Sequence, residues 1–289
     1  MTTIRNALTH AATQLSNAHE GAVLESEVLL TYALEKSRTW LHTWPERELS
    51  EAQLTTFDAL IKRRLQGEPS AYITGEREFW SLSLEVTPDT LIPRPETELL
   101  VALALEQIPT DATLNIADLG TGTGAIALAI ASERPRCQIF AVDFSTGALA
   151  VAERNRARHA LDNVTLHEGS WLTPVAEITF QVIVANPPYI RENDPHLEQG
   201  DLPFEPRSAL VAGDDGLDDI CKIISDSRAR LATAGWLLIE HGFDQAEAVV
   251  QIFEQYGYSN VYTHRDLSGQ PRVTSGQYNS KSHQHHHVK

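Results

Sequence analysis

The sequence FQVIVANPPY, residues 180–189, decides how the rest of the chain is interpreted. Its first six residues are mostly apolar, which is typical of a central parallel strand that is covered on both faces. Pro187 and Pro188 end the strand, because proline has a fixed φ and no N–H group to donate to a sheet. The sequence therefore predicts a buried strand that runs into a stiff turn rich in carbonyl acceptors.

This turn is suited to holding a flat N–H₂ group. The side-chain oxygen of Asn186 and a prolyl carbonyl can accept its two hydrogens, while the ring of Tyr189 lies against its plane. The same residues can equally form a plain surface turn. The other segments of the chain must decide between these two interpretations.

Length and composition limit the classes of protein to consider. The chain has 289 residues, enough for about two domains. Hydrophobic residues make up 42% and charged residues 21%, which fits a globular α/β protein. Lys and Arg total 23 against 39 Asp and Glu, a formal net charge of −16. Such a field repels a phosphate backbone, so nucleic acid is an unfavourable partner.

The cysteine content and the N-terminal sequence indicate the cellular compartment of the protein. Cys137 and Cys221 are the two cysteines, and neither has Cys or His neighbours at ligand spacing. We therefore expect no disulfide framework and no metal site. The first ten residues lack the apolar core of a signal peptide, and no apolar run approaches ~18 residues. These features predict a cytoplasmic protein without a membrane anchor.

The chain is expected to divide into two domains. Apolar residues at helical spacing predict three or four helices over about the first 66 residues, which carry no catalytic constellation. Gly67 and Pro69 close this region, and the partly alternating segment 79–86 indicates a hairpin. The predicted segments are a helical domain at 1–72, a linker with a β-hairpin at 73–92, an α/β domain at 93–280 and a disordered, His-rich tail at 281–289.

Strands and helices alternate in the second domain, as in a wound α/β sheet. The sequence PRPETE at 93–98 leads into a helix at 99–107, where Glu96 and Glu98 suit the positive end of the helix dipole. Whether these carboxylates serve only the helix is left open. Seven strands are predicted, at 114–118, 138–143, 163–168, 180–185 and 236–240 and near 259–263 and 272–274, with further helices from 124 and at 145–159, 216–231 and 244–256.

A glycine-rich turn, DLGTGTG at 118–124, joins the first of these strands to its helix. Bare glycine backbone lets a ligand approach the helix N-terminus closely, so the turn is a predicted cofactor cradle. The spacing of Gly120, Gly122 and Ala125 also satisfies the dinucleotide fingerprint, so NAD stays open. Asp118 can pair with the cationic amine of a cofactor that carries an amino acid, whereas a pyrophosphate would be repelled there.

Further side chains follow the next two strands. Asp143 ends the second strand, where a carboxylate can accept hydrogen bonds from both hydroxyls of a ribose or can cap the next helix. Ser170 and Trp171 follow the third strand, which places the indole beside an adenine ring or in the core. Because open α/β sheets bind ligands at the carboxyl ends of their strands, the order of these residues favours one cofactor site.

These residues resemble those of class I S-adenosylmethionine-dependent methyltransferases. Within that class, the chain resembles the family that methylates the glutamine side-chain nitrogen of peptide chain release factors. About two-thirds of the chain is covered, whereas the N-terminal helices match only as a small helical bundle. The matching motifs are GEPSAYITG at 67–75 with Phe79, PRPETE at 93–98, the glycine turn, Asp143, GSW at 169–171, NPPY at 186–189, EPRSAL at 205–210 and DGL at 215–217.

The resemblance implies a Rossmann-like sheet in a methyltransferase domain at 93–280 and S-adenosylmethionine as cofactor, with S-adenosylhomocysteine as product and no metal. It also implies that the substrate is a glycine-flanked glutamine loop of a release factor and that the helical domain recognises this partner. The implied acceptor residues are Asn186, Pro187, Pro188 and Tyr189, of which Asn186, Pro187 and Tyr189 are catalytic. The implied cofactor residues are Asp118, Gly120, Thr121, Gly122, Thr123, Gly124, Asp143, Ser170, Trp171 and Asn186.

Three other functions compete with this hypothesis. A nucleic-acid adenine N6-methyltransferase would use the same turn for the amine of a flipped base, but the acidic charge opposes it. An NAD-dependent oxidoreductase fits the glycine turn and leaves the NPPY sequence without a role. A non-catalytic binding module would not need both sets of residues.

Overall fold

The computed structural model describes residues 2–16 and 21–279, which form two compact units. The first unit contains the residues up to Glu76 together with Pro195–Glu205. The second contains Arg77–Asp194 and the chain from Pro206 onward. The tail predicted at 281–289 lies outside the described residues.

Within its described residues, the first unit contains five α-helices, where three or four helices were predicted. Two of them, α3 and α5, have only six and five residues, too few for a helical period to show in the sequence. Buried side chains such as Leu29, Leu30 and Phe57 form the core between the longer helices. The helices are α1 Ile4–Leu15, α2 Ala22–Leu34, α3 Arg38–Thr43, α4 Glu51–Leu65 and α5 Ser70–Thr74.

The segment Pro195–Glu205 packs within the helical unit although it is distant in sequence. The side chain of Arg64, only 4% exposed, forms ion pairs with Glu25 at 3.0 Å and with Asp201 at 3.1 Å. Phe204 lies against Gly67, where an added Cβ would be 2.9 Å from its ring. A buried cation and a close backbone contact thus fix this segment, and neither is visible as a local pattern.

A two-stranded hairpin, β1 Glu76–Phe79 and β2 Leu82–Glu85, follows the helices. Its turn residues Trp80 and Ser81 both have positive φ, 51° and 60°. This backbone is that of a type I′ turn, which usually carries Asn or Gly. The hairpin is therefore confirmed, although the usual turn signal is missing from the sequence.

The second unit is built on a seven-stranded sheet with the order β5-β4-β3-β6-β7-β9-β8. The five strands from β5 to β7 are parallel, and β9 is antiparallel to both β7 and β8. The predicted seven-stranded, mostly parallel sheet is confirmed. The strands are β3 Asn115–Leu119, β4 Gln138–Asp143, β5 Val164–Glu168, β6 Phe180–Ala185, β7 Leu231–Glu240, β8 Ser259–Arg265 and β9 Pro271–Tyr278, and the helices are α6 Glu98–Glu106, α7 Ala125–Glu133, α8 Thr146–Arg158, α9 Asp218–Ser227 and α10 Ala246–Gln255.

The strand β6 lies in the middle of the sheet and is buried on both faces. Val182 and Val184 belong to one apolar cluster, and Ile183 and Ala185 belong to the cluster on the other face. This arrangement explains why the sequence of β6 is continuously apolar rather than alternating. The turn that follows it is therefore held by a rigid central strand.

The largest difference between the predicted and the observed elements is the boundary between α9 and β7. The helix expected at 216–231 ends at Ser227, and β7 begins at Leu231 rather than at 236. Pairing with β6 shifts register between Phe180 and Val182, and Ala234 has a φ of 63°. Such an irregular start has no alternating pattern, so the sequence does not show it.

Candidate active site

A cavity of about 360 Å³ lies at the carboxyl ends of the parallel strands in the second unit. Most of the residues predicted for the cofactor and the acceptor meet there. The predicted residues that line the cavity are Gly120, Thr121, Gly122, Thr123, Asp143, Ser170, Trp171, Asn186 and Pro188. Those that do not line it are Asp118, Gly124, Pro187 and Tyr189.

The glycine turn forms one wall of this cavity. Gly120 has a φ of 75°, and a Cβ added there would lie 3.3 Å from the ring of Trp171. The N–H groups of Gly120 and Thr121 both donate to the carbonyl of Val142 on β4, at 2.8 and 2.9 Å. The turn is thus fastened to the neighbouring strand, and its bare backbone faces the cavity.

Asp143 connects the glycine turn to the start of α8. Its Oδ2 accepts from the N–H of Gly122 at 2.8 Å, and its Oδ1 accepts from the N–H of Ser145 at 2.9 Å. Burial raises the pKa of Asp143 above its usual value, and the backbone N–H donors oppose that rise. The side chain of Ser145, which accepts from Ala148 N–H, caps α8. Asp143 is therefore not needed as the side-chain cap of α8, and it lines the cavity.

Asp118 lies behind the glycine turn and is fully buried. Its Oδ2 accepts from the Thr121 hydroxyl at 2.6 Å and from Ala127 N–H at 3.1 Å, which ties the turn to the first residues of α7. Burial raises the pKa of Asp118 to about 7. Among the residues the structure describes, its Oδ1 has no hydrogen-bond partner. Contact between Asp118 and a cofactor amine stays a prediction.

Trp171 is held by a residue that the sequence analysis missed. The indole N–H donates to the carboxylate of Asp219, which lies on α9 and also lines the cavity. Trp171 itself has a φ of 49°, in the left-handed region. Asp219 sits among other acidic residues at the start of a helix, so nothing in its sequence context distinguishes it.

The NPPY turn forms a second wall, next to the glycine turn, through Asn186 and Pro188. The Asn186 Nδ2 donates to the hydroxyl of Thr97 at 3.3 Å. Thr97 lines the cavity between Glu96 and Glu98 of the PRPETE motif, where the analysis singled out only the two carboxylates. The Glu98 side chain accepts from Trp80 N–H at 2.9 Å, so it holds the hairpin turn as well as lying in the first turn of α6.

Tyr189 is fixed by its backbone and its surroundings. The carbonyl of Tyr189 accepts from Gln245 Nε2 at 3.0 Å, and the same amide also contacts the carbonyls of Asp215 and Gly216. Burial raises the pKa of Tyr189 well above its ordinary value, and the nearby carboxylate of Glu240 raises it further. The tyrosine ring packs against the apolar cluster that includes Ile183 and Ala185. Its predicted contact with an acceptor amide stays a prediction.

Across residues 2–16 and 21–279, no group of three or more His, Cys, Asp or Glu side chains is arranged to hold a metal ion. In those same two stretches, no helix is both long enough and apolar enough to cross a membrane.

Two different family models match the N-terminal region and the following part of the chain. Residues 6–75 match the model of the PrmC N-terminal domain, and residues 97–200 match that of the methyltransferase small domain. A crystal structure of a methyltransferase from Pyrococcus furiosus shares the fold with a TM-score of 0.53 at 18% identity, covering 75% of this chain and 97% of that chain. Residues 97–200 thus match a methyltransferase domain, and the fold of the chain is one that a methyltransferase also has.

Relatives that match over nearly the whole chain show which family of methyltransferases it belongs to. A release factor glutamine methyltransferase of Vibrio cholerae serotype O1 is 49% identical over 96% of this chain and 98% of its own length. A protein of the same name from Escherichia coli K12 is 49% identical over 94% and 97%. The chain belongs to the family of release factor glutamine methyltransferases. Its membership decides against the NAD-dependent oxidoreductase that the glycine turn alone left open.

Proposed function

We propose that the chain transfers a methyl group from S-adenosylmethionine to the side-chain amide nitrogen, N5, of a glutamine in a peptide chain release factor. The observation that carries this proposal is the shared cavity: the glycine turn and Asp143 line one wall of it, and Asn186 and Pro188 line the adjoining wall. The function of the whole-length relatives supports the same conclusion. The reaction makes the protein an S-adenosylmethionine-dependent protein-(glutamine-N5) methyltransferase.

The residues at the glycine turn fit S-adenosylmethionine. A Cβ at Gly120 would crowd the space beside Trp171, so glycine keeps room there for a ligand. In this proposal the carboxylate of Asp143 accepts from the two ribose hydroxyls, and the ring of Trp171 lies beside the adenine. When bound, the cofactor supplies a methyl group on a sulfonium, which needs no metal for transfer.

The acceptor side must turn a poor nucleophile into a competent one. An amide nitrogen is weakly nucleophilic because its lone pair is delocalised into the carbonyl. Asn186 Oδ1 and the carbonyl of Pro187 accept the two N–H hydrogens of the glutamine, which favours a localised lone pair and aims it into the cavity. The nitrogen loses its surplus proton only after transfer, so the site needs no general base before the reaction.

The substrate segment we propose is a glycine-flanked glutamine loop. Glycine neighbours let the backbone approach the NPPY turn while the side chain extends into the cavity. We assign partner recognition to the predicted helical domain at 1–72 and catalysis to the domain at 93–280, joined by the linker at 73–92. The partner is a translation factor, so we place the protein in the cytoplasm.

Labelling with methyl-labelled S-adenosylmethionine tests the proposal. Incubated with a purified release factor and, separately, with double-stranded DNA, the protein should label the release factor and leave the DNA unlabelled. Unpairing a base costs a few kcal/mol, and a phosphate backbone must also approach an acidic protein. Label on DNA adenine without label on the release factor would identify the protein as an adenine methyltransferase instead.

A further inference from the structure

A carboxylate that the reaction as described does not use lies buried beside the acceptor turn. Glu240 is the last residue of β7 and is 2% exposed. Because Ala185 on β6 pairs with Ile239 on β7, Asn186 and Glu240 follow at the ends of neighbouring strands. Within the described part of the chain, Glu240 Oε2 has no hydrogen-bond partner. Burying such a group is costly, so its retention calls for a reason.

Thr97 connects this carboxylate to the acceptor turn. Its side chain is hydrogen-bonded to Glu240, and its Oγ1 lies 3.3 Å from Asn186 Nδ2. Thr97 is 4% exposed, so water does not compete freely for these contacts. The three side chains therefore form a short chain from the protein interior to the cavity.

The number of hydrogens in this chain determines the direction of each bond. An ionised carboxylate is only an acceptor, so the single hydroxyl hydrogen of Thr97 must point toward Glu240. The Thr97 oxygen then presents a lone pair to Asn186, which only the Nδ2 side of the amide can meet. Turning the amide over would place two acceptor oxygens against each other, at the cost of a buried unsatisfied contact.

We propose that Glu240 and Thr97 are positioning residues that fix the amide of Asn186 with Nδ2 toward Thr97 and Oδ1 toward the methyl acceptor. This inference rests on the proposed function, since a glutamine N–H₂ needs an acceptor oxygen. In the opposite orientation, Asn186 would offer hydrogens to a group that already carries hydrogens. The network thus determines which end of the amide the substrate meets.

The same network predicts a pH dependence. Burial raises the pKa of Glu240 to about 7. Once protonated, Glu240 can donate to Thr97, whose own hydrogen is then released toward Asn186, and the constraint on the amide is lost. Turnover should therefore fall as the pH drops through about 7. The other charged or titratable groups whose charges act on Glu240 or on the neighbouring turn are Arg94, Glu96, Tyr189 and Arg272.

Substitutions at Thr97 and Glu240 test this arrangement by steady-state kinetics on a release factor. Thr97→Val keeps the shape and removes the hydroxyl, and should lower kcat roughly 10- to 100-fold, as for loss of one aligned polar contact. Thr97→Ser should restore most of the turnover. Glu240→Gln can donate at any pH, so it should lower kcat and abolish the decline near pH 7. Cofactor affinity, measured by calorimetry, should stay within a few-fold in all three.

Thr274→Val is a matched control. Thr274 is also a buried threonine of the same unit, but its hydroxyl bonds to His241 Nε2 at 2.9 Å and it does not line the cavity. This variant should lose stability and keep its kcat. Wild-type turnover in Thr97→Val, or a Thr97→Ser variant as slow as Thr97→Val, would overturn the proposal.

A readout independent of catalysis separates this inference from the proposed function. In the wild-type protein, the side-chain amide protons of Asn186 should be protected from exchange in NMR spectra, and Thr97→Val should remove that protection. A protein that shows this change but does not methylate release factors would refute the proposed function alone. Unprotected amide protons in an active wild-type enzyme would refute the network alone.

Discussion

The two walls of the cavity are held by different kinds of interaction. The cofactor wall is fastened by backbone groups close to it: Gly120 and Thr121 N–H donate to Val142, and Gly122 N–H donates to Asp143. The acceptor wall depends on distant side chains, as in the contact between Asn186 and Thr97, which are 89 residues apart. The first wall can be altered with mainly local consequences, whereas the second combines the ends of β6 and β7 with Thr97 in the segment before α6.

The largest effect should come from the acceptor wall. We expect Asn186→Ala to lower kcat by about 10²-fold or more, because it removes one aligned acceptor of the glutamine amide. Its affinity for S-adenosylmethionine should change by no more than a few-fold. Kinetics and calorimetry measure the two quantities separately. If Asn186→Ala lost cofactor affinity but kept turnover per bound complex, the two walls would not be functionally distinct.

The cofactor wall should respond in the opposite manner. Asp143→Ala removes the acceptor of two backbone N–H groups and of the proposed ribose contact, so cofactor binding should weaken by about 1.5–3 kcal/mol. Turnover at saturating cofactor should fall much less. Asp143→Asn, which retains one acceptor oxygen, serves as the control and should show an intermediate affinity. Unchanged affinity in a folded Asp143→Ala protein would leave Asp143 with a purely structural function.

A smaller effect is expected at Gln245, whose side chain donates to the backbone carbonyl of Tyr189 in the acceptor wall. Gln245→Ala leaves the carbonyl of Tyr189 without its side-chain donor and should lower the free energy of unfolding by about 1–3 kcal/mol. The KM for a release factor should rise severalfold because the turn is less well fixed, with unchanged cofactor affinity. Denaturant unfolding and initial rates report both quantities. A loss of cofactor affinity equal to the rise in KM would mean that Gln245 supports the whole cavity.

Two buried carboxylates, one behind each wall, should make the stability of the protein depend on pH. Burial raises the pKa of both Asp118 and Glu240 to about 7, above the usual carboxyl value of about 4 in an unfolded chain. The folded state therefore binds more protons at these two groups between these values, and their contribution to the free energy of unfolding should fall as the pH rises from about 4 to 7 and then level off. Asp118→Asn should flatten part of this slope in pH-dependent unfolding.

Cofactor binding distinguishes these two carboxylates. If a cationic amine pairs with Asp118, binding at pH 7 should release protons, because a nearby positive charge lowers the pKa of that carboxyl. Calorimetry in buffers of different ionisation enthalpy measures this release, which Asp118→Asn should abolish. Equal proton release in the wild-type and Asp118→Asn proteins would show that Asp118 only ties the glycine turn to α7.

The contrast between the walls also explains what the sequence could reveal. The apolar run of β6, the glycine turn and Asp143 are local patterns, and the structure confirms the strand and places Gly120, Gly122 and Asp143 at one cavity. Thr97, Asp219, Glu240 and Gln245 were not found, because each acts through a contact with a residue distant in sequence. The start of β7 was also missed. Its pairing with β6 shifts register there, so its residues do not show the regular alternation of apolar and polar side chains that reveals a strand.

Mass spectrometry of a release factor tests the central claim most directly. After incubation with the protein and S-adenosylmethionine, the release factor should gain one methyl group, and fragmentation should place it on the side-chain nitrogen of a glutamine between glycines. A release factor with that glutamine changed to glutamate should gain none, because a carboxylate offers neither N–H hydrogens nor a nitrogen lone pair. A methyl group on any other residue, or the same gain in the glutamate variant, would contradict the account.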